Sequence, residues 1–578
     1  MQRRIWEEVA ADLNRVREIA AAVGVPPVIA RLLCQRGFAD PDAASRFLHP
    51  DLSQLHDPFL LTGMRPAVDR LLGAVARRER VVIHGDYDVD GITATVILRR
   101  AIDMLGGDVT HFVPDRHRDG YGLQPGTVAR LAAEGARVIV SVDCGIRAAD
   151  AAVLAGASGV DLIITDHHEP GATLPPALAV INPKRPDCAY PDKHLAGAGV
   201  ALKLVQALLV ASGRGLDALP HFVKVAAIGT LADVVPLVGE NRVIAHCGLR
   251  GLSTGPHSAG LEALLAESGL LGRRLDSFHV GFMLAPRLNA AGRMRSPELS
   301  ADLLLMRGRD GETRARAGDM ARRLSEDNSQ RQEQEAAILD EARRIVDGDP
   351  AVGGPNLLIV AGRAWHRGVI GIVASKLVEL YHKPALVLSI DDGIATGSGR
   401  SIRSFDLLAG LESCADVFLR FGGHRLAAGV TLEADRVDDL RRRLCAYANE
   451  HLGPDDLVPR LRIDAPLGLA DISGEVVQAL GRLGPFGTSN PKPVFRASPV
   501  DLAAPPRRLK DRHLTLLFKQ GGRAFRAIAW RAADREEYLA TNRFGLELAY
   551  SLDESDYRGE RVTELTVADV RMPVEAHA

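Results

Sequence analysis

Cysteine is scarce in this chain. Its six residues (Cys34, Cys144, Cys188, Cys247, Cys414 and Cys445) are scattered through 578 positions with no Cys-x-x-Cys pair. That pattern speaks against a disulfide framework and against a zinc–thiolate site, and it suits a reducing compartment. An excess of one charge is lacking too: 71 Lys+Arg stand against 73 Asp+Glu, a formal net charge of −2. Affinity for a polyanion is therefore not announced by the whole chain, and any basic surface has to be local. No segment approaches the ~18 uninterrupted apolar residues of a membrane span. The opening stretch, MQRRIWEEVAADLNRVREIAAA, holds acidic residues and no long apolar run, so it does not read as a secretory signal. The expectation is a soluble, cytoplasmic protein with no membrane partner. What is present is ordinary for a globular chain, 46% hydrophobic and 25% charged residues, which excludes disorder or a fibre. The length suggests about four domains.

Residues 1–60 read as helical and peripheral, with breaks at Pro26, Pro27 and Pro41. From residue 80 short apolar runs alternate with helical stretches. Strands are expected at Val81–Ile83, Val109–Val113, Arg137–Val142 and Asp161–Thr165. Helices are expected at Ile92–Leu105, Thr127–Ala133 and Ala148–Leu154. Such repeated units imply an α/β fold, a parallel sheet with helices on both faces. Residues 311–348 form one long polar helix whose narrow stripe (Met320, Leu324, Ile338, Ala342, Ile345) is weak for a core helix and fits a connector. Mixed α/β sequence resumes at 356–450, with strands at Asn356–Val360 and Pro384–Leu388. After Pro454 the segments Leu514–Phe518, Ala524–Trp530 and Arg561–Val567 suggest a small all-β barrel or sandwich. Between Arg482 and Arg531 there are eleven Lys/Arg and two acids, a local charge of +9 that would attract a polyanion. Phe486, Phe495, Phe518, Phe525 and Trp530 are the aromatic residues of that stretch, and some of them must be core.

The chemistry concentrates earlier. His84-Gly-Asp86-Tyr-Asp88-Val-Asp90-Gly91 follows the first expected strand and sets three carboxylates at alternate positions. Like charges packed this way are costly unless a cation neutralises them. An EF-hand loop needs Glu at its twelfth position, and counting from Asp86 that position is Ile97. Further groups follow: Asp143-Cys144-Gly145, Asp166-His167-His168, and Asp233 in Gly-Thr-Leu-Ala-Asp-Val-Val. The first three groups stand just past the C-terminal ends of strands, the rim where open α/β sheets bind ligands. Any single strand-end Asp is as often a helix N-cap, but four groups with adjacent histidines are expected to converge. Carboxylate and imidazole donors without thiolate suit Mn²⁺, with Mg²⁺ or Zn²⁺ less apt. The number of acids exceeds the needs of one ion, so a pair of ions is expected, an arrangement suited to phosphodiester hydrolysis.

These residues resemble a known family. Asp166-His167-His168 is the triplet of the DHH phosphoesterases, and His84-x3-Asp88-x-Asp90, Asp143, the triplet and Asp233 are similar to their four successive motifs in order. Gly422-Gly-His424-Arg-Leu-Ala-Ala-Gly429 resembles the glycine- and histidine-containing motif of the DHH-associated domain, whose small residues admit a phosphate that His424 can bind. Pro286-Arg287-Leu-Asn289-Ala-Ala-Gly-Arg293-Met294 and the basic β-domain are similar to features of the bacterial RecJ branch. The resemblance covers nearly the whole chain. It implies a helical segment at 1–60, a DHH catalytic domain at 61–310, a connector helix at 311–349, a DHH-associated domain at 350–453 and an oligonucleotide-binding (OB) fold at 454–578. It implies 5′-to-3′ exonuclease activity on single-stranded DNA in recombination and repair, with a helicase and a single-strand-binding protein as partners.

Carried over residue by residue, the resemblance makes Asp88, Asp90, Asp143, His167 and Asp233 metal ligands, with either His84 or Asp86 completing the first site. His168 would touch the scissile phosphate and Asp166 would orient a histidine. Arg116 and Tyr121 match a loop that meets the DNA end. Ser398 and Arg400 match a pocket for the 5′-phosphate, and Arg287, Asn289 and Arg293 fall to the DNA backbone. Cys144 reads as a packed small residue. Two other functions compete. A DHH phosphoesterase on short oligoribonucleotides or cyclic dinucleotides would share the catalytic motifs but would need no basic strand-holding domain. A non-catalytic DNA-binding relative should have lost metal ligands, and here every motif is intact. Two α/β domains joined by a helix would leave a groove admitting single strands only.

Overall fold

The computed structural model describes residues 4–115, 119–120, 122–308, 310–349, 352, 354–557 and 560–573. It divides into two compact units: Pro50–Glu333 with Pro485–Pro491, and Met1–His49 with Gln334–Gly484 and Lys492–Ala578.

The unit that begins at Pro50 is built on a five-stranded, all-parallel sheet. Its order is Val109–Phe112, Val81–His84, Val138–Val142, Asp161–Thr165, Ala179–Ile181. The α/β expectation holds here to within a few residues at each strand, and the edge strand Ala179–Ile181 is an addition. Its three residues are too short to carry a periodic signal. Both sheet faces are covered. Val81, Ile83, Val138, Val140 and Ile163 pack into one core, and Val82, Ile139, Leu162 and Ile164 into another. That is why these strands read as continuous apolar runs rather than alternating ones. Helices Val89–Met104, Gly197–Ala211 and Leu219–Ala232 lie against the larger core, and the last two are apolar nearly all round.

In the other unit, Leu358–Arg363, Ala385–Asp391, Ile394–Arg400, Ala427–Glu433 and Arg420–His424 form a mixed five-stranded sheet. Only its first pair is parallel. The C-terminal strands close into a barrel. Phe495–Leu502 pairs with Leu546–Tyr557, which pairs with Glu560–Arg571, then Arg523–Ala529, then His513–Gln520, and His513–Gln520 returns to Phe495–Leu502. Five strands closed this way are the OB-type barrel. Leu514, Leu516 and Phe518 alternate inward, as a period of two requires.

Two expectations need correction. The N-terminal stretch is helical at Leu13–Val23, Pro27–Gln35 and Pro41–Leu48, but it opens with strand Ile5–Glu8, which pairs in parallel with Arg460–Ile463. Trp6 Nε1 donates to Asp569 at 2.9 Å, so the stretch is built into the barrel rather than peripheral. A four-residue strand carries no periodicity of its own, and its partner lies some 450 residues on. The helices are interrupted before Pro27 and Pro41, as expected, and each proline opens the next helix, because a first-turn N–H has no helical acceptor to lose. The long helix Gly311–Gly348 is present as expected. Its apolar stripe is really two patches. Ala317, Met320, Ala321 and Leu324 belong to the core of the first unit, and Ile338, Ala342 and Val346 to a core of the second. The boundary between units falls within this helix, at Glu333/Gln334.

Candidate metal centre

The carboxylates reach one place because the sheet is parallel. Strands Val81–His84, Val138–Val142 and Asp161–Thr165 end side by side, and the chain turns directly into Asp86, Asp143 and Asp166. Asp88 caps helix Val89–Met104, accepting from Asp90 N at 2.9 Å and Gly91 N at 3.2 Å through Oδ1. The bland reading of a strand-end Asp is thus true of one oxygen of Asp88. Asp90 is held by the N-terminus of helix Gly197–Ala211, whose Gly197 and Ala198 N–H groups donate to it at 2.7 and 2.8 Å. Asp233 sits at the opposite pole, capping the C-terminus of helix Leu219–Ala232. A carboxylate there faces the negative end of the helix dipole and gains nothing from it.

Three overlapping groups of donor atoms result, each with its atoms within 4.8 Å of one another: Asp86, Asp88 and Asp143; Asp90, His167 and Asp233; and Asp143, His167 and His168. His167 Nε2 is 3.2 Å from Asp143 Oδ1, 3.7 Å from Asp233 Oδ2 and 3.9 Å from Asp90 Oδ2. His84 is buried against Cys144, its Nδ1 3.6 Å from Sγ, and belongs to no such group among the described residues. Cys144 is a buried packing residue.

Electrostatically the cluster is frustrated. Burial, and then the neighbouring Asp88, push Asp86 and Asp233 up to about 7. Burial raises Asp90 and Asp143 well above the ordinary range, with Asp233 adding to Asp90 and Asp90 adding to Asp143. His167 is pushed down to about 4, chiefly by burial, so its imidazole is neutral and its lone pair available. Asp86 Oδ1, Asp143 Oδ1 and His167 Nε2 are buried without a hydrogen-bond partner. Buried polar atoms without partners are costly, and these three converge. A divalent cation satisfies them and cancels the repulsion, so oxygen and imidazole donors here fit Mn²⁺ or Mg²⁺.

Asp166 is different. Burial alone would raise it, but hydrogen bonds from His168 Nδ1 at 2.8 Å and from the N–H groups of His167, His168 and Ile146 hold it below the usual range. In return Asp166 raises His168. Asn182 fixes the triplet's backbone, donating to His168 O at 2.9 Å.

The other candidate residues are dispersed. In the first unit, Asn289 Oδ1 accepts from Val89 N at 3.1 Å, so it braces the first acidic motif. Arg287 donates to Ser325 Oγ at 3.1 Å and Met283 O at 2.6 Å, and Arg293 lies partly buried on the same helix, Ala285–Met294. In the second unit, Arg400 Nη1 donates to Ser398 Oγ at 3.0 Å. Gly371, at the start of helix Ile370–Tyr381, faces both: a Cβ there would stand 3.0 Å from Ser398 Oγ and 3.3 Å from Arg400 Nη2. His424 is exposed, paired through Ala427 to Arg400 across adjacent strands. Arg116 and Tyr121 lie outside the described residues. Two glycines escaped sequence reasoning. A Cβ on Gly197 would lie 2.4 Å from Asp143 Oδ1, and one on Gly229 2.7 Å from Asp90 Oδ1. The small-residue run Ala196–Gly199 was the available signal for the first.

Family models match in three places: the DHH family, N-terminal domain over residues 80–230, the DHHA1 domain over 354–450 and the RecJ OB domain over 463–569. The chain is 36% identical over 562 residues to the single-stranded-DNA-specific exonuclease RecJ of Dickeya dadantii, covering 94% of this chain and 96% of that protein. This chain belongs to the RecJ family. RecJ of Bacillus subtilis is 41% identical over 490 residues, 84% of this chain and 61% of its own length, so less than two thirds of that longer protein is spanned. The crystal structure of RecJ from Thermus thermophilus in complex with Mn²⁺ superposes with a TM-score of 0.83 at 32% identity, covering 99% of this chain and 80% of that one. The Mg²⁺ complex of the same RecJ gives 0.78 at 30% identity, covering 99% and 79%. Among the described residues no helix is long and apolar enough to cross a membrane.

Proposed function

We propose that this chain is a metal-dependent exonuclease that hydrolyses single-stranded DNA from the 5′ end, using two divalent cations. The observation that carries the reading is the sharing of donors: Asp143 and His167 each belong to two of the three donor groups. Ligands common to neighbouring groups are what a pair of ions requires, and family membership supports the substrate. Asp86 and Asp88 would hold one cation and Asp90, His167 and Asp233 the other, with Asp143 standing between the two sets, grouped with Asp86 and Asp88 and 3.2 Å from His167 Nε2 through Oδ1. Cations held there would supply positive charge for phosphoryl oxygens and a lowered pKa for a water nucleophile.

The chain's own residues do the rest. Asp166 fixes the orientation of His168 through Nδ1 and raises its pKa, which favours the protonated ring, so that Nε2 is the nitrogen left to donate to the scissile phosphate. Arg287, Asn289 and Arg293 engage the backbone. Ser398, Arg400 and His424 line a site for the terminal phosphate, with Gly371 leaving the space beside Ser398 and Arg400 open. The proposed division is 1–60, a DHH catalytic domain at 61–310, connector helix 311–349, DHH-associated domain 350–453 and OB domain 454–578, with a helicase and a single-strand-binding protein supplying the substrate. The short-substrate alternative leaves the closed barrel without a task.

Mn²⁺-dependent digestion of end-labelled single strands, duplexes and dinucleotides in parallel tests the reading. Degradation of the single strand from its 5′ end, with duplex spared, is expected. Preference for dinucleotides, or activity without added metal, would overturn it.

A further inference from the structure

Helix Ala285–Met294 is preceded by a short turn of helix at Ser277–His279 and a π-type turn at Val280–Leu284, in which Ala285 N–H bonds back to Val280 O. Pro286 gives the cause: it has no N–H to offer Phe282 O, and its ring crowds that carbonyl. A π turn is wider than an α turn and rotates the residues before it. The apolar stripe that this run needs for folding is already satisfied by Val280, Leu284 and Leu288, all fully buried. Phe278 and Phe282 lie off that stripe. They are 59% and 71% exposed, and their rings stack on each other at 5.0 Å with 23° between planes. Single exposed apolar residues need no explanation, but two stacked phenyl faces held out in water do nothing for the fold.

The sequence around them is rich in arginine. From Gly269 to Arg295 it carries Arg273, Arg274, Arg287, Arg293 and Arg295 against a single acid, Asp276; Arg295 is met by Asp327 at 2.9 Å and so adds no net charge there. The Arg287 guanidinium donates to Met283 O, the carbonyl next to Phe282, and so sits at the same turn. A positive surface interleaved with exposed aromatic faces is the physical pattern for holding an unpaired nucleic-acid strand. A second copy of the chain would bring the same positive surface against itself, and like charge opposes that contact.

We infer that Phe278 and Phe282 form a stacking platform for an unpaired base of the DNA strand whose phosphates Arg287 and Arg293 engage. This rests on the proposed action on single strands. The platform reads the π face of a base and not its identity, so it would grip any sequence but reject a paired base, which is already stacked within its duplex.

The test measures binding by anisotropy in EDTA, where the strand is not degraded, using a labelled thymidine strand and an abasic strand of equal length. For the F278A/F282A double variant, the Kd for the thymidine strand should rise roughly 5- to 100-fold. The Kd for the abasic strand should stay within about twofold, since it has no base to lose. The thermal midpoint should not fall, because both rings are outside the core. F282W should keep the affinity, and the thymidine strand should quench its fluorescence beyond that of wild type. An unchanged Kd for thymidine, or an equal loss on both strands, overturns the platform while leaving the exonuclease reading intact. A wild-type protein that binds neither strand overturns both.

Discussion

Within the metal centre, Asp86, Asp90 and Asp143 are buried beside acids of the same sign, which raise the energy of their charged forms. On the barrel the charge is of the opposite sign, spread over the surface and partly cancelled. Of the eleven cations between Arg482 and Arg531, Lys492, Arg496, Arg508 and Arg526 pair with Asp553, with Glu8 and Glu547, with Glu536 and with Glu564. The +9 counted along the sequence is therefore smaller in space, and Arg507, Lys510, Arg512, Lys519, Arg523 and Arg531 make up most of its exposed remainder. Phe495, Phe518 and Phe525 are core, and Trp530 is half exposed beside His513. A concentrated buried charge demands a specific cation, whereas a dispersed exposed one offers screened, additive attraction. Substitutions should separate the two.

The largest effect is expected at the centre. Asp143→Asn keeps the residue's left-handed backbone (φ 61°), which Asn tolerates, but removes a carboxylate shared by two donor groups. Hydrolysis should fall by more than the ~100-fold typical of losing an outer partner of a metal ligand. The metal-free variant should unfold at no lower temperature than metal-free wild type, because like-charge repulsion is relieved. Next, Asp166→Asn should cost ~10- to 100-fold. Since Asp166 raises His168, its loss should also move the alkaline limb of the pH–rate profile to lower pH.

Binding to long single strands should respond more gradually. Removing Arg507, Lys510, Arg512 or Arg531 should reduce the slope of log K against log salt by ~1 for each phosphate that is no longer neutralised. Arg508→Gln and Arg526→Gln should leave it unchanged, because their charge is already met by Glu536 and Glu564. Equal slopes for all of these variants would erase the contrast between paired and exposed cations.

A smaller effect concerns stability and pH. Asp86 and Asp233 titrate near 7 in the folded, metal-free protein, above the ~3.9 of an unfolded Asp. The folded state thus binds protons more tightly, so their contribution to stability is present below about pH 4 and is lost as pH rises through about 7. Thermal unfolding in EDTA should show this loss, reduced in Asp233→Asn and abolished for wild type by Mn²⁺. The smallest expected change is Arg400→Lys, which keeps charge but loses the fork. It should lower the kcat/KM preference for 5′-phosphorylated over 5′-hydroxyl strands by roughly 10-fold or less.

What the sequence made legible follows the same division. Buried parallel strands wrote themselves as apolar runs, and the acids at their ends stood out because metal chemistry fixes both residue type and position. Features that depend on distant partners were hidden. Strand Ile5–Glu8 exists because Arg460–Ile463 lies beside it, and four barrel cations are neutralised by acids outside the basic stretch. Asn289 was read as a DNA contact; that its Oδ1 also accepts from Val89, 200 residues earlier, is a long-range tie no local pattern announces. Between His84 and Asp86 the sequence offers no choice, because it turns on where each side chain points: Asp86 groups with Asp88 and Asp143, while His84 sets Nδ1 against Cys144 and leaves its buried Nε2 without a partner.

The central claim is that the buried acids are half-neutralised by protons until metal replaces them. Calorimetric titration of Mn²⁺ in buffers of differing ionisation enthalpy counts the protons displaced. With Asp86 and Asp233 near 7, binding should release protons at about pH 6, release fewer at about pH 8, and release fewer at either pH in Asp233→Asn. Mn²⁺ binding with no proton release at about pH 6, or with the same release in Asp233→Asn as in wild type, would contradict it.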